Sequence, residues 1–146
     1  MDGRAHETTT VPDQPAILRH AFAVAAAGRI AWGVAALVSP GANLRAAGVP
    51  ESQSPEVDYL TRVFGARASA IGLGYLTGDS AARVRWQRLG MLVDSLDTIS
   101  GLTALRSIDD APRRRAAALL VAITGTYAAL GVAGSVHALL SGCRLS

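Results

Sequence analysis

Four ionisable residues lie near the middle of long apolar stretches: Arg29 within 21–38, Arg67 within 57–77, and Asp94 with Asp97 within 86–105. Charge at that depth is costly in any apolar setting unless a partner compensates it. Arginine is suited to the task, because its planar guanidinium grips a carboxylate through two donors where lysine offers a point charge. Asp94 and Asp97 are three residues apart, so on a helix they share one face, about 60° from each other. Arg62 and Arg67 are five apart and diverge by about 140°. Arg62, nearer its helix end, is therefore assigned to Asp58 or to an interface. The pattern predicts a buried ionic cluster of Arg29, Arg67, Asp94 and Asp97, in which each arginine contacts one of the aspartates. Two roles follow from that chemistry. The charges either fix helix register, or line a polar cavity for a proton, an anion or a small substrate.

Other chemistry lacks a signature. No His-Glu-x-x-His or Cys/His cluster is present, so no metal ligand is assigned. There is no Gly-x-Ser-x-Gly elbow and no P-loop, and Gly72-x-Gly74 lacks the further glycine of a dinucleotide fingerprint. No catalytic or cofactor-binding residue is assigned, and no cofactor is expected. His6, His20 and His137 stand alone. Cys143 is the single cysteine, so no intrachain disulfide forms. It lies beside Arg144, where an unmodified tail thiol is the plain reading and acylation the alternative. All basic residues are arginines, scattered rather than striped, which argues against nucleic acid.

The elements that must carry the four charges are helices. The chain has 146 residues, of which 50% are hydrophobic and only 17% charged. Alanine dominates the apolar runs and favours helix over strand. We expect an all-α fold, a four-helix transmembrane bundle with antiparallel up-down topology. Its helices cover about 15–38, 55–77, 81–106 and 111–141, between a disordered polar tail at 1–14 and a short tail at 142–146. Asp13 and Pro15 mark the first start, and Ser39-Pro40-Gly41 the first stop. A polar loop is expected over 39–55. Ser54-Pro55-Glu56 opens the second helix, and Gly78 suits a left-handed end to it. Arg83, Arg85, Trp86 and Arg88 suggest a collar at headgroup depth. Asp109, Asp110 and Pro112 open the last helix.

The stretch 116–140 carries no charge and is long enough to cross a hydrocarbon core of roughly 30 Å. The shared length near 20 residues and the short links extend that reading to four spans. The lipid bilayer is then the main partner, and the plasma (inner) membrane the location, with both termini on one side. Arginines divide almost evenly between the two sides, with a slight lean to cytoplasmic termini. Small residues recur at four-residue spacing in Ala27/Ala31/Ala35, Gly65/Ser69, Ala66/Ala70/Gly74 and Gly131/Ser135. Such faces suit close packing within the chain, or against a second copy or another membrane protein.

The segments GRIAWGVAALVSPGANLRAAGVP, YLTRVFGARASAIGLGYL and RLGMLVDSLDTISGL resemble a family of small, uncharacterised four-helix bacterial membrane proteins common in actinobacteria. The family pattern has a glycine-rich first helix ending in proline. A Gly-Ala-Arg or Gly-Leu-Arg motif opens the second span, here Gly65-Ala66-Arg67. An aspartate marks the third, here Asp94 or Asp97. A looser likeness to the DoxX group is one of architecture only. The resemblance implies a four-span fold and brings no activity with it.

The leading functional expectation is a non-enzymatic accessory or interaction protein stabilised by the Arg–Asp cluster. The alternatives are a small-solute or proton-handling protein that uses the cluster as its cavity, and a membrane enzyme acting on a lipid-soluble substrate. A cavity beside Asp94 and Arg67 would favour the alternatives, and a dry, fully paired cluster the first reading.

Overall fold

The computed structural model describes residues 14–49 and 54–143. Within them the chain is all-α, with α1 (Ala16–Val38), α2 (Pro40–Ala46), α3 (Pro55–Thr77), α4 (Ser80–Leu105) and α5 (Ala111–Cys143). Residues 1–13, 50–53 and 144–146 lie outside this description, as does the side chain of Cys143. Most of the expected N-terminal tail, the Asp13 cap and the C-terminal tail fall there. Gln14, assigned to that tail, is instead anchored to α4. Its amide and that of Gln87 exchange two hydrogen bonds of 3.1 and 3.2 Å.

The helix starts follow local chemistry. Pro55 occupies the first turn of α3 behind the extended Ser54. The Asp79 carboxylate accepts from the Ala82 N–H at 2.7 Å and caps α4. Asp110 does the same for α5, accepting from the Arg113 N–H at 3.0 Å. Gly78 does not adopt the left-handed conformation expected of it. Its φ is −75° and its backbone is extended, because α4 begins two residues later and the chain must turn directly into the Asp79 cap. The glycine that does need left-handed freedom is Gly48, at φ 83°, just beyond α2.

The expected loop over 39–55 contains a helix. Ser39 ends α1 by donating its N–H to Ala35 O at 2.9 Å, and its own carbonyl accepts from the Asn43 N–H at 3.0 Å, in α2. One Ser-Pro pair thus stops one helix and starts the next. Pro40, Asn43 and Ala47 are buried, and with Leu44 they follow the i, i+3, i+4, i+7 spacing of an amphipathic turn. The Asn43 side-chain amide donates to Trp32 O at 3.4 Å, docking α2 beneath the end of α1.

The four long helices form two tight pairs, α1 along α3 and α4 along α5, joined by a thinner α3–α4 contact and a slight α1–α5 contact. Glycine sets the first pair. A Cβ on Gly33 would fall 2.6 Å from Gly65 O, and one on Gly65 would fall 2.5 Å from Gly33 O. The two backbones touch, which only glycine allows. Gly72 repeats the approach against Ala26 O. Gly65 and Ser69 thus lie at a helix contact as read from the sequence. The face of α1 is different: Ala27, Ala31 and Ala35 are exposed, while Ala26, Gly33 and Ala36 are buried. Ala66 and Ala70 likewise point outward. Gly131 and Ser135 sit against Met91 on α4.

One half of the bundle is packed and the other is open. In the packed half, Phe22, Ala26 and Tyr75 form a cluster with Ala23, Trp86 and Leu130. The Phe22 and Tyr75 rings lie 6.0 Å apart. Trp86, read as part of a headgroup collar, turns inward and lies on Gly74. Two helices, α1 over Ala16–Val38 and α5 over Ala111–Ser141, are long and apolar enough to cross a membrane, with mean hydropathies of 1.8 and 1.9 over an 18-residue stretch of each.

The contrast among glycines is testable by thermal unfolding of the purified protein. A Cβ on Gly125 would meet Thr98 no closer than 3.7 Å. Gly125→Ala therefore keeps or raises stability, by up to about 1 kcal/mol from helix propensity. Gly65→Ala forces backbone against backbone and lowers stability by about 1–3 kcal/mol.

Candidate functional site

The four charged residues come together as two sorted pairs. From α1, both terminal nitrogens of Arg29 donate to Asp94 on α4, one of them to Oδ1 at 2.9 Å and the other to Oδ2. From α3, one terminal nitrogen of Arg67 donates to Asp97 Oδ2 at 2.5 Å. The helical offset between Asp94 and Asp97 explains the sorting, since each carboxylate faces a different neighbouring helix.

The two pairs differ in environment. The Arg29 and Asp94 side chains are 13% and 3% exposed, whereas those of Arg67 and Asp97 are 42% and 25% exposed. The cluster is thus buried in only one of its halves. Arg29 uses the bidentate geometry that favours arginine at buried carboxylates. Its guanidinium also lies over the Tyr127 ring of α5, 4.4 Å from the centroid. Gly90, one turn before Asp94, leaves room for it: a Cβ there would come within 3.6 Å of the Arg29 guanidinium. Thr98 donates to Asp94 O at 2.7 Å and pairs with the Thr124 hydroxyl at 2.9 Å, tying α4 to α5 at the same level. Arg67 lies 5.4 Å from the Phe64 ring on its own helix. Arg62 is exposed, and among the described residues no ion pair joins it to Asp58.

Both pairs line a cavity of about 620 Å³ in the open half of the bundle. Its wall is contributed by all five helices. Trp32 comes from α1, Asn43 and Leu44 from α2, Leu60 and Phe64 from α3, Val93 and Ser100 from α4, and Leu120 and Tyr127 from α5. Most of this wall is hydrocarbon. Leu60, which is 62% exposed, and Ser100, also exposed, lie on its lining, so the cavity opens to the outside between α3 and α4. The α3–α4 contact is thinner than the contacts within each helix pair. The size lies within the range of small-molecule sites, roughly 300–1,000 Å³.

Sequence reasoning missed Tyr127, Thr124, Ser100, Trp32 and Asn43 as parts of this wall. Tyr127 and Thr124 carried a signal, as two of the few polar side chains in an otherwise apolar helix, three residues apart. Asn43 was hidden by the reading of α2 as a loop. His20 is exposed, and His137 makes a 3.3 Å contact with Ser141 near the end of α5 remote from the cavity. No group of three His, Cys, Asp or Glu side chains that could hold a metal occurs among the described residues.

No family model, no curated protein and no solved structure matches the chain.

The two ion pairs should respond differently to loss of charge. Asp94→Asn leaves the enclosed Arg29 guanidinium without a counter-ion and lowers stability by about 3–5 kcal/mol. Asp97→Asn keeps an oxygen for Arg67 at a more open position and costs about 1 kcal/mol or less. Chemical denaturation of both variants under one set of conditions measures the difference, and equal losses would contradict it.

Proposed function

We propose that the chain is a multi-pass membrane protein in which α1, α3, α4 and α5 all cross the bilayer, and that it holds a small lipophilic molecule in the cavity between its two helix pairs. Four spans are supported by the placement of apolar bulk. Large hydrophobic side chains point outward along every long helix, including Ile17 and Val38 on α1, Leu73 on α3, Leu92, Leu96 and Ile99 on α4, and Leu139 on α5. The inward positions hold mostly small residues together with Asp94, and the large side chains buried there are few, namely Phe22, Ile71 and Tyr75. Water would drive the opposite arrangement, whereas lipid tolerates outward leucine and drives polar groups inward. The charges on α3 and α4 lower their hydropathy, but the central ones are placed away from the outer face, Asp94 by burial and Arg67 and Asp97 by lining the cavity. Arg62, Arg83, Arg85 and Arg88 are exposed nearer the helix ends.

The binding reading rests on one observation, a largely hydrocarbon cavity of about 620 Å³ with two ion pairs in its wall. A purely structural ion cluster has no need of a cavity beside it. Of the functions weighed from the sequence, this favours handling of a small solute, and the apolar lining makes that solute lipophilic. The opening between α3 and α4 would admit it sideways from the hydrocarbon. Among the described residues around the cavity no hydrogen bond pairs a nucleophile with a base, and the reading is retention or carriage.

Two measurements test the reading. The protein should remain with membranes through an alkaline carbonate wash and be released by detergent, and carbonate release would exclude the four spans. Native mass spectrometry of the detergent-freed protein should detect a retained lipophile. Ser100→Trp and Leu60→Trp, both at the opening, should abolish retention while leaving the unfolding midpoint near that of the parent protein. Unchanged retention in both would exclude the cavity as the site.

A further inference from the structure

The cavity wall carries two guanidinium groups and two carboxylates, each cation bonded to one anion. Its formal charge therefore sums to zero. The inner pair is saturated in the plane that matters, since Arg29 meets both oxygens of Asp94. The outer pair is not. Arg67 meets Asp97 through a single nitrogen and a single oxygen, and both side chains line the cavity and remain partly exposed. Guanidinium has five N–H donors and carboxylate about four acceptor positions. The Arg67–Asp97 pair thus presents donors and acceptors side by side without excess charge.

From this we infer that the bound molecule has an uncharged head that both donates and accepts hydrogen bonds, such as an alcohol or primary amide, on an apolar body. The inference rests on the binding reading above and names its ligand class. A carboxylate head would gain Arg67 but bring a third negative charge among Asp94 and Asp97. An ammonium head would meet the reverse. Either places a net charge in a mostly hydrocarbon wall, where an unpaired charge is strongly disfavoured. An uncharged head can donate to the free Asp97 oxygen and accept from Arg67 with the pair intact. Size limits the body as well. A cavity of about 620 Å³ lies in the size range of small-molecule sites and accommodates a single chain or a compact ring system.

The chain has two tryptophans, and Trp32 lines the cavity while Trp86 lies in the packed half. In a Trp86→Phe background, Trp32 becomes a reporter at the site. Brominated dodecanol, dodecanoate and dodecyltrimethylammonium, matched in chain and bromine position, are titrated against the detergent-solubilised full chain at mildly alkaline pH. The alcohol should quench Trp32 at a concentration at least about tenfold lower than either ion, since an uncompensated charge in an apolar site is strongly disfavoured. Charge-altering variants should move the preference in opposite directions. Arg67→Met leaves a net negative wall and should turn the preference toward the ammonium. Asp97→Asn leaves a net positive wall and should turn it toward dodecanoate.

A wild-type preference for either ion would overturn the neutral-head inference and leave the binding reading standing. So would a preference for the alcohol that neither variant shifts. If none of the three quenches Trp32 in a saturable way, the binding reading itself fails, and the inference falls with it.

Discussion

The Arg29–Asp94 pair is the interaction on which the arrangement depends. Asp94 is the most deeply enclosed charged residue described, and its carboxylate is acceptable there only because both of its oxygens meet one guanidinium. That requirement links α1 to α4, which belong to different helix pairs. Tyr127 extends the link to α5 by lying under the same guanidinium. Elsewhere the two pairs meet through a thin α3–α4 contact and a slight α1–α5 contact. The ion pair therefore sets the relative position of two units that are each tightly packed within themselves.

The packing inside each unit has a different origin. Between α1 and α3, glycine brings backbone against backbone at Gly33 and Gly65, and again at Gly72. Close approach gains many small dispersion contacts without large buried side chains. It also explains the asymmetry of the bundle. Aromatic bulk from Phe22, Tyr75 and Trp86 fills one half. In the other half large side chains such as Trp32, Phe64 and Tyr127 line the space between the helices without filling it, α2 forms part of the wall, and a cavity remains. The charged pairs stand in the wall of that cavity, so the feature that stabilises the inter-helix contact is also the feature a ligand would meet.

The candidate site was legible in part. Central charge in apolar segments picked out Arg29, Arg67, Asp94 and Asp97, because ionisable side chains in such segments need partners whatever the fold. The pairing scheme was not legible. Asp94 and Asp97 are near-equivalent in sequence, and their different burial depends on which helix lies opposite each one. The outward position of Ala27, Ala31 and Ala35 has the same cause. In an alanine-rich helix several faces are small enough to pack, and only the neighbour's glycines select among them. The inward turn of Trp86 depends on the space above Gly74, and α2 was hidden because Ser-Pro reads equally as a stop and as a start.

Residue order alone was enough for the all-α class, the approximate extent of the long helices and the identity of the charges that need partners. These depend on local rules: alanine-rich propensity, proline and aspartate at helix starts, and the free energy of placing charge among apolar residues. Tertiary structure alone decided that Arg29 takes Asp94 and Arg67 takes Asp97, that the second pair stays partly open, and that a cavity of about 620 Å³ lies beside both. Those are properties of the space between helices. That space is set by long-range backbone contacts and by a half-filled interior, which residue order along one helix does not encode.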